Sequence, residues 1–187
     1  MIQNTARVMD ALVFAEECHR GQVRKCRNVP YIVHPMMVAL LVQGAGGTED
    51  QIIAALLHDV VEDCGITLET LKNKFGPLVA AMVGDLSERD KTLPWEVRKE
   101  EAINHVDHMH FPSVLVKTAD VLHNVQDTLL AIGEKGDEAF AYFKAPKHMV
   151  IDRYSRIAKA LMHRMGGNAL ACDLLCAVQQ LQKFVSS

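Results

Sequence analysis

The chain has 187 residues, of which 49% are hydrophobic and 23% charged, a composition typical of a soluble globular protein. Its formal net charge of −3 argues against a general binder of nucleic acids or membrane surfaces. The apolar runs are much shorter than a membrane span, and the N-terminus lacks the pattern of a secretion signal, so we expect a cytoplasmic protein.

The first predicted helix covers "ARVMDALVFAEECHRG" and ends at Gly21. Like nearly the whole chain, it repeats apolar residues at spacings of three and four, which is the helical period. Val8, Leu12, Ala15 and Cys18 fall on one stripe of this helix. The pattern favours α-helices throughout and no convincing strand.

The next helices carry clear start signals. Pro35 stands in the first turn of "HPMMVALLVQGAGG". Thr48 is a predicted N-cap for one helix over "TEDQIIAALLHDVVEDCG", and Thr67 is another for "TLETLKNKFG", with Thr70 at the third helical position. Both threonines offer a side-chain oxygen to an otherwise unpaired backbone N–H.

The remaining chain continues the same pattern, with Gly or Pro at nearly every boundary. Further helices are predicted over "PLVAAMVGDLSER", "LPWEVRKEEAINHVDHM", "PSVLVKTADVLHNVQDTLLAIG", "PKHMVIDRYSRIAKALMHRMGG" and "NALACDLLCAVQQLQKFVSS". Residues 133–147, "GEKGDEAFAYFKAPK", are interpreted as a loop over the site. We therefore predict a single all-α domain over residues 1–187, a bundle of roughly eight to ten helices.

The cysteines predict a reducing environment. Cys18, Cys26, Cys64, Cys172 and Cys176 are an odd number and form no CxxC pair. Cys172 and Cys176 lie one helical turn apart, and we expect them to pack in the core rather than bind a metal.

Three segments carry the side chains that metal or acid–base chemistry requires. They are "PYIVHP" with His34, "HDVVED" with His58, Asp59, Glu62 and Asp63, and "VKTADVLHNV" with Lys117, Asp120, His123 and Asn124. A single one of these residues would be an ordinary core histidine or helix-end acid. Together they would place several charges against an apolar helix face, which is costly without a compensating ion.

The proposed ligand set contains two imidazoles and two carboxylates, from His34, His58, Asp59 and Asp120. Such a set suits Mn²⁺, Fe²⁺, Zn²⁺ or Ni²⁺ with open positions for water and substrate. It contains no thiolate, which disfavours a closed structural zinc site. On a continuous helix, Glu62 and the following Asp63 would lie one turn further along, beside the metal.

The other histidines are predicted to have no such role. His123 is interpreted as a structural residue or a support for the ligands. The others are expected in exposed, polar surroundings: His19, His105, His108, His110, His148 and His163.

A basic loop, "HRGQVRKCRN", leads into His34. It is either a solvated loop or an anion clamp, and we favour a clamp formed by Arg24 and Lys25. Two roles are open for Lys117: its ammonium could neutralise a phosphate, or its alkyl chain could pack against the protein while the ammonium stays in solvent. Asp127 stands one turn after Asn124, where we expect its charge to repel a polyanionic ligand.

The order His…His-Asp…Asp resembles the signature of the HD metal-dependent phosphohydrolases. With "HRGQVRK", "PYIVHP", "LLHDVVEDCGIT", "FGPLVAAMVGDLSE", "KTLPWEVRK" and "LVKTADVLHNV" in this order, the chain is similar to the hydrolase domain of RelA/SpoT-type alarmone enzymes, especially the small stand-alone hydrolases. The resemblance extends over about residues 5–165. It implies an all-helical HD domain that uses Mn²⁺ to remove the 3′-pyrophosphate of (p)ppGpp.

The resemblance also implies residue roles. It matches His34, His58, Asp59 and Asp120 to the metal ligands, Glu62 and Asp63 to the acidic pair that activates or orients water, and Arg24 and Asn124 to nucleotide contacts. Two alternatives stay open: an HD phosphohydrolase acting on a 5′-mononucleotide, a dNTP or (p)ppApp, and a metal-holding sensor or interaction module without turnover. The expected partner is a small nucleotide rather than nucleic acid or membrane, and homo-oligomerisation is undecided.

Overall fold

The computed structural model describes residues 5–25, 27–88 and 92–184, and it confirms the predicted all-α architecture there. Within these residues no helix is both long and apolar enough to cross a membrane. The α-helices are α1 Thr5–Cys18, α2 Val33–Gly44, α3 Glu49–Leu57, α4 Val60–Cys64, α5 Leu68–Phe75, α6 Pro77–Leu86, α7 Trp95–His105, α8 Phe111–Lys135, α9 Lys147–Met165 and α10 Ala169–Gln182. Short 3-10 helices occupy Val106–His108 and Gly136–Tyr142, and an isolated antiparallel bridge joins Val23 and Pro30.

The two predicted N-caps are confirmed. The Thr48 hydroxyl accepts from the Gln51 N–H at 3.3 Å, and the Gln51 side chain accepts in return from the Thr48 N–H at 2.8 Å. This reciprocal capping box fixes the start of α3. The Thr67 hydroxyl accepts from the Thr70 N–H at 3.1 Å and starts α5 in the same way.

The prediction of one helix through "AALLHDVVEDCG" is wrong. Helix α3 ends at Leu57 and α4 begins at Val60, with His58 and Asp59 in the turn between them. The His58 ring donates from Nδ1 to the Ala55 carbonyl at 2.8 Å, and a side chain inserted at such a carbonyl interrupts the helical hydrogen-bond ladder. Asp59 then adopts φ −99° and ψ −8°, outside the usual helical range. The break therefore lies at the residues singled out as metal ligands.

Helix α8 is the central element of the fold and contacts α2, α3, α6, α9 and α10. Its buried side chains are mostly apolar, but they include the charged or titratable residues Asp120, His123 and Asp127. Because burial of an uncompensated charge is costly, these three side chains require partners from the surrounding helices.

The interpretation of residues 133–147 as a loop over the site is wrong. Part of the segment forms the 3-10 helix Gly136–Tyr142, which packs against α8. Ala139 and Phe140 are buried there, and none of the segment lines the cleft described below. The apolar side chains direct this segment to the core and away from the polar cleft.

The cysteines depart in part from expectation. Cys176 is exposed and Cys18, Cys64 and Cys172 are partly exposed, all as free thiols, while Cys26 lies outside the described residues. Core packing is therefore wrong for Cys176, since α10 buries a different set of positions, including Leu170, Leu174, Ala177 and Val178.

Candidate active site

Three separate elements bring titratable side chains to one point. His34 lies in the first turn of α2, His58 follows the end of α3, and Asp120 lies in the middle of α8. All three are buried, and their potential ligand atoms lie within 4.8 Å of one another. This buried cluster fits a divalent metal ion.

The spacing of the donor atoms agrees with ligation of one ion. His34 Nε2 lies 3.1 Å from His58 Nε2 and 3.4 Å from Asp120 Oδ1, and the last two atoms are 3.8 Å apart. Asp59 Oδ2 adds a fourth donor, 3.1 Å from His58 Nε2 and 3.6 Å from His34 Nε2. Two ligands about 2.1 Å from a shared metal lie about 3.0–3.8 Å apart at angles of about 90–130°. The predicted ligands His34, His58 and Asp120 thus have mutual distances that suit one shared ion, and Asp59 lies at such distances from the two histidines.

Hydrogen bonds behind the two histidines orient their rings. His58 Nδ1 donates to the Ala55 carbonyl, which directs Nε2 to the cluster. His34 Nδ1 lies 2.8 Å from His123 Nδ1. Burial lowers the pKa of His123 to about 4, so His123 is neutral, and its Nδ1 would accept from His34 Nδ1–H when His34 Nε2 binds a metal. His123 therefore supports a ligand from behind, as metal-binding histidines usually require.

The electrostatics of the cluster keep its carboxylates ionised. Burial opposes ionisation of Asp59, but the neighbouring His58 outweighs that effect and lowers the Asp59 pKa. Burial also opposes ionisation of Asp120, but the Lys117 ammonium, which donates to Oδ2 at 2.9 Å, holds the Asp120 pKa well below its usual range. Burial would lower the pKa of His58, but the carboxylates raise it to about 9. A divalent cation between these groups would replace the His58 proton.

Glu62 and Asp63 lie on α4 and line the same cleft as the ligand cluster. Glu62 is partly exposed and accepts from the Glu88 N–H at 3.4 Å, while Asp63 is exposed. The structure thus brings the predicted acidic pair beside the cluster.

Tyr31 is a site residue that the sequence analysis missed. Its hydroxyl donates to Asp59 Oδ2 at 2.7 Å and also lies 3.3 Å from Asp63 Oδ2. It therefore ties a proposed metal ligand to one of the acidic pair. Its position three residues before His34 in "PYIVHP" was the available signal.

Arg24 reaches α8 from the basic loop. Its guanidinium donates to Asp127 Oδ2 from Nε at 3.0 Å and from Nη2 at 2.8 Å, and to Asn124 Oδ1 at 2.9 Å. The structure therefore joins the two predicted nucleotide contacts. The expectation that Asp127 repels a ligand is wrong, since its charge is paired with Arg24 and it does not line the main cleft.

Two other expectations for the basic loop are affected. Lys25 is exposed and does not line the cleft, whereas Arg24 does, so the structure does not bring the two predicted clamp residues together at the cleft. His19 is only 2% exposed, which overturns its prediction as a surface residue. Its ring stacks on Tyr31 at 4.7 Å and its Nδ1 lies 2.9 Å from Gln22 Oε1. The other five histidines dismissed above are partly or fully exposed, as predicted.

The cleft in front of the ligand cluster has a volume of about 700 Å³. Cationic side chains from α7, α8 and α9 contribute to its lining: Arg98, Lys99, Lys117 and Arg153. Of these four cations, only Lys117 was considered from the sequence as a partner for phosphate. A volume of this size suits a nucleotide-sized ligand, since small-molecule sites usually measure about 300–1,000 Å³.

Comparisons with known proteins agree with this geometry. Residues 11–142 match the family model described as HD domain. The chain is 40% identical over 130 residues to the guanosine-3′,5′-bis(diphosphate) 3′-pyrophosphohydrolase MESH1 of Xenopus tropicalis, covering 68% of this chain and 72% of that protein. It is 38% identical to MESH1 of Homo sapiens over the same shares of the two chains.

Solved structures extend the similarity to the whole fold. A structure described as a metazoan ortholog of SpoT that hydrolyzes ppGpp superposes with a TM-score of 0.80 and 26% identity, covering 98% of this chain and 97% of the other. The structure of lmo0812 from Listeria monocytogenes EGD-e gives a TM-score of 0.73 and 28% identity, covering 80% of this chain and 99% of the other.

Proposed function

This chain belongs to the HD domain family, and from that premise we propose that it hydrolyses the 3′-pyrophosphate of ppGpp and pppGpp. The products would be GDP or GTP and pyrophosphate. The predicted kinship with small alarmone hydrolases is confirmed, because relatives that carry this activity in their names are 38–40% identical over two thirds of the chain. The observation that carries the proposal is the buried triad of His34, His58 and Asp120, with Asp59 beside the two histidines, next to a cleft with cationic walls.

We propose that these four residues hold the metal and that the metal is Mn²⁺. Nitrogen and oxygen donors without thiolate fit Mn²⁺ among several divalent ions. A bound ion would supply Lewis-acid polarisation of the phosphoryl group and acidify water. The ionised, buried carboxylates and the two imidazole Nε2 atoms that face them are the features of this chain that support it.

Glu62 and Asp63 are the proposed general bases. Both line the cleft next to the ligand cluster, so a carboxylate oxygen of either residue would accept the proton of the attacking water. Attack at the phosphorus of the 3′-linkage forms one oxygen–phosphorus bond and breaks the bond to the 3′-oxygen, which regains a proton as a hydroxyl. The Tyr31 hydroxyl would hold Asp63 in register with Asp59 during this step.

Arg24 and Asn124 are the proposed nucleotide contacts. Arg24 is held by two α8 side chains and still lines the cleft, which presents a pre-oriented planar cation to a phosphate or a base. Preorganisation of this kind reduces the entropy lost on binding. Lys25 is exposed, so its proposed part in the clamp would be limited to the outer edge of the loop. We further propose that residues 1–187 act as one hydrolase domain in the cytoplasm.

Product analysis on a nucleotide panel tests the proposal. With Mn²⁺ present, ppGpp should yield GDP and pyrophosphate, whereas GDP and ATP, which lack a 3′-pyrophosphate, should be poor substrates. Survival of ppGpp together with consumption of a 5′-mononucleotide, a dNTP or (p)ppApp would replace the alarmone assignment with another HD phosphohydrolase. Metal binding without turnover of any nucleotide would favour the sensor.

A further inference from the structure

The lining of the cleft contains a second group of charged side chains, which have no role in the proposed reaction. Lys99 projects from α7 and Arg153 from α9, and both line the cleft with Arg98. Glu88 is ion-paired with Arg98 and Lys99. A single carboxylate, that of Glu88, therefore neutralises part of the charge of two cations, and Arg153 adds a third positive charge to the cleft lining.

Arg153 has no carboxylate partner among the described residues. Its guanidinium lies 5.2 Å from the ring of the adjacent Tyr154, and its Nε is buried without a hydrogen-bond partner. The Nε of Arg98 is buried and unpartnered as well. Buried donors are rarely left unsatisfied in proteins, and an explanation is required where they line a cleft.

The cations also act on one another. Burial lowers the pKa of Lys99, and the nearby charge of Arg153 lowers it further. Lys117 is different, because its ammonium is bound to Asp120 in the ligand cluster. Arg153 is therefore the cation of this group without a carboxylate partner among the described residues, and Lys99 shares the single carboxylate of Glu88 with Arg98.

We propose that Lys99 and Arg153 form an anion subsite that binds the 5′-diphosphate of the substrate, the phosphate group that is not cleaved. The inference rests on the proposed function, since a nucleoside carrying phosphates at both 3′ and 5′ positions requires two anion sites in one cleft. The ligand cluster supplies the first. Lys99 and Arg153 supply the second, on different helices of the same cavity.

Two substrates, the wild type and three variants test the subsite. Wild type, Arg153→Gln, Arg153→Lys and Lys99→Gln are assayed with Mn²⁺ on ppGpp and on guanosine 3′-diphosphate, which lacks the 5′-diphosphate. Loss of one charge-assisted phosphate contact should raise KM for ppGpp by about 10- to 150-fold. The same variant should change KM for guanosine 3′-diphosphate by a much smaller factor. Arg153→Lys, which keeps the charge, should recover part of the loss.

Arg156→Gln is the matched control, because Arg156 lies three residues further along α9, pairs with Glu100 and does not line the cleft. It removes the same charge from the same helix and should leave KM for both substrates unchanged. Equal losses on both substrates in Arg153→Gln would overturn the subsite while leaving the proposed reaction intact.

Calorimetric binding of GDP separates the subsite from the reaction. GDP carries the 5′-diphosphate and no 3′-phosphate, so wild type should bind it at least about 10-fold more tightly than Arg153→Gln does. If ppGpp is not hydrolysed but GDP binding depends on Arg153, the subsite holds and the proposed function fails. If GDP binds equally to both proteins, the subsite is wrong whatever the outcome of the hydrolysis assay.

Discussion

The buried ion pair between Arg24 and Asp127 makes a quantitative stability prediction. In Asp127→Ala, Arg24 loses the oxygen that accepts two of its hydrogen bonds, at 3.0 and 2.8 Å, and keeps the hydrogen bond to Asn124 and its position over the Tyr31 ring. Removing one partner of a buried pair costs about 3–5 kcal/mol, because the remaining charge stays desolvated. The Arg24 side chain is 15% exposed and borders the cleft, so we expect a value at the lower end of that range, about 3 kcal/mol of unfolding free energy.

Urea titration followed by far-ultraviolet circular dichroism measures this loss as a lower midpoint at unchanged slope. Glu134→Ala is the matched control. Glu134 lies on α8, like Asp127, and pairs with Arg27 of the basic loop, but its side chain is 47% exposed. Exposed pairs contribute about 0–1 kcal/mol, so Glu134→Ala should change little. The Arg24→Ala/Asp127→Ala double variant should lose less than the sum of the single variants. If Asp127→Ala loses no more than Glu134→Ala, the pair does not stabilise the fold as reasoned here.

Three further predictions concern the reaction. His58→Ala and Asp59→Asn should each lose bound metal and activity together, and full occupancy by elemental analysis in both would remove them from the ligand set. Glu62→Gln and Asp63→Asn should retain metal and lose about 10²- to 10⁴-fold in turnover, and near wild-type rates in both would make the pair structural. Arg24→Ala should raise KM more than it lowers kcat, with about 1.5–3 kcal/mol lost in kcat/KM, and a pure kcat effect would place Arg24 in the chemistry instead.

The local features of the fold were predictable because short-range chemistry fixes them. Thr48 and Thr67 could be identified as caps from the sequence, since the groups they bond lie only three residues away. The clustering of His34, His58 and Asp120 was also predictable, because isolated charges in apolar helices need a shared partner. The helix break at Asp59 was not, because it depends on the rotamer of the preceding histidine.

Side-chain pairs that are distant in the sequence could not be predicted from it. Arg24 and Asp127 are 103 positions apart, and no periodicity connects a loop residue to one face of a distant helix. The charge of Asp127 was therefore assigned to the ligand rather than to its true partner. Lys99 and Arg153 were missed for the same reason, since α7 and α9 look like ordinary helices with solvated cations until their packing places both residues in one cleft.

Binding and chemistry are linked through one face of α8. Lys117 donates to Asp120 Oδ2 at 2.9 Å, and the Asn124 amide donates to Asp120 Oδ1 at 2.6 Å. The oxygen of the same amide accepts from Arg24 at 2.9 Å, and Arg24 is held in turn by Asp127. Asn124 thus fixes a proposed metal ligand with one end and the arginine of the basic loop with the other. Because both ends are engaged, a ligand that displaced Arg24 would change the restraint on Asp120, and we therefore propose that Asn124 positions Asp120 as well as contacting the nucleotide.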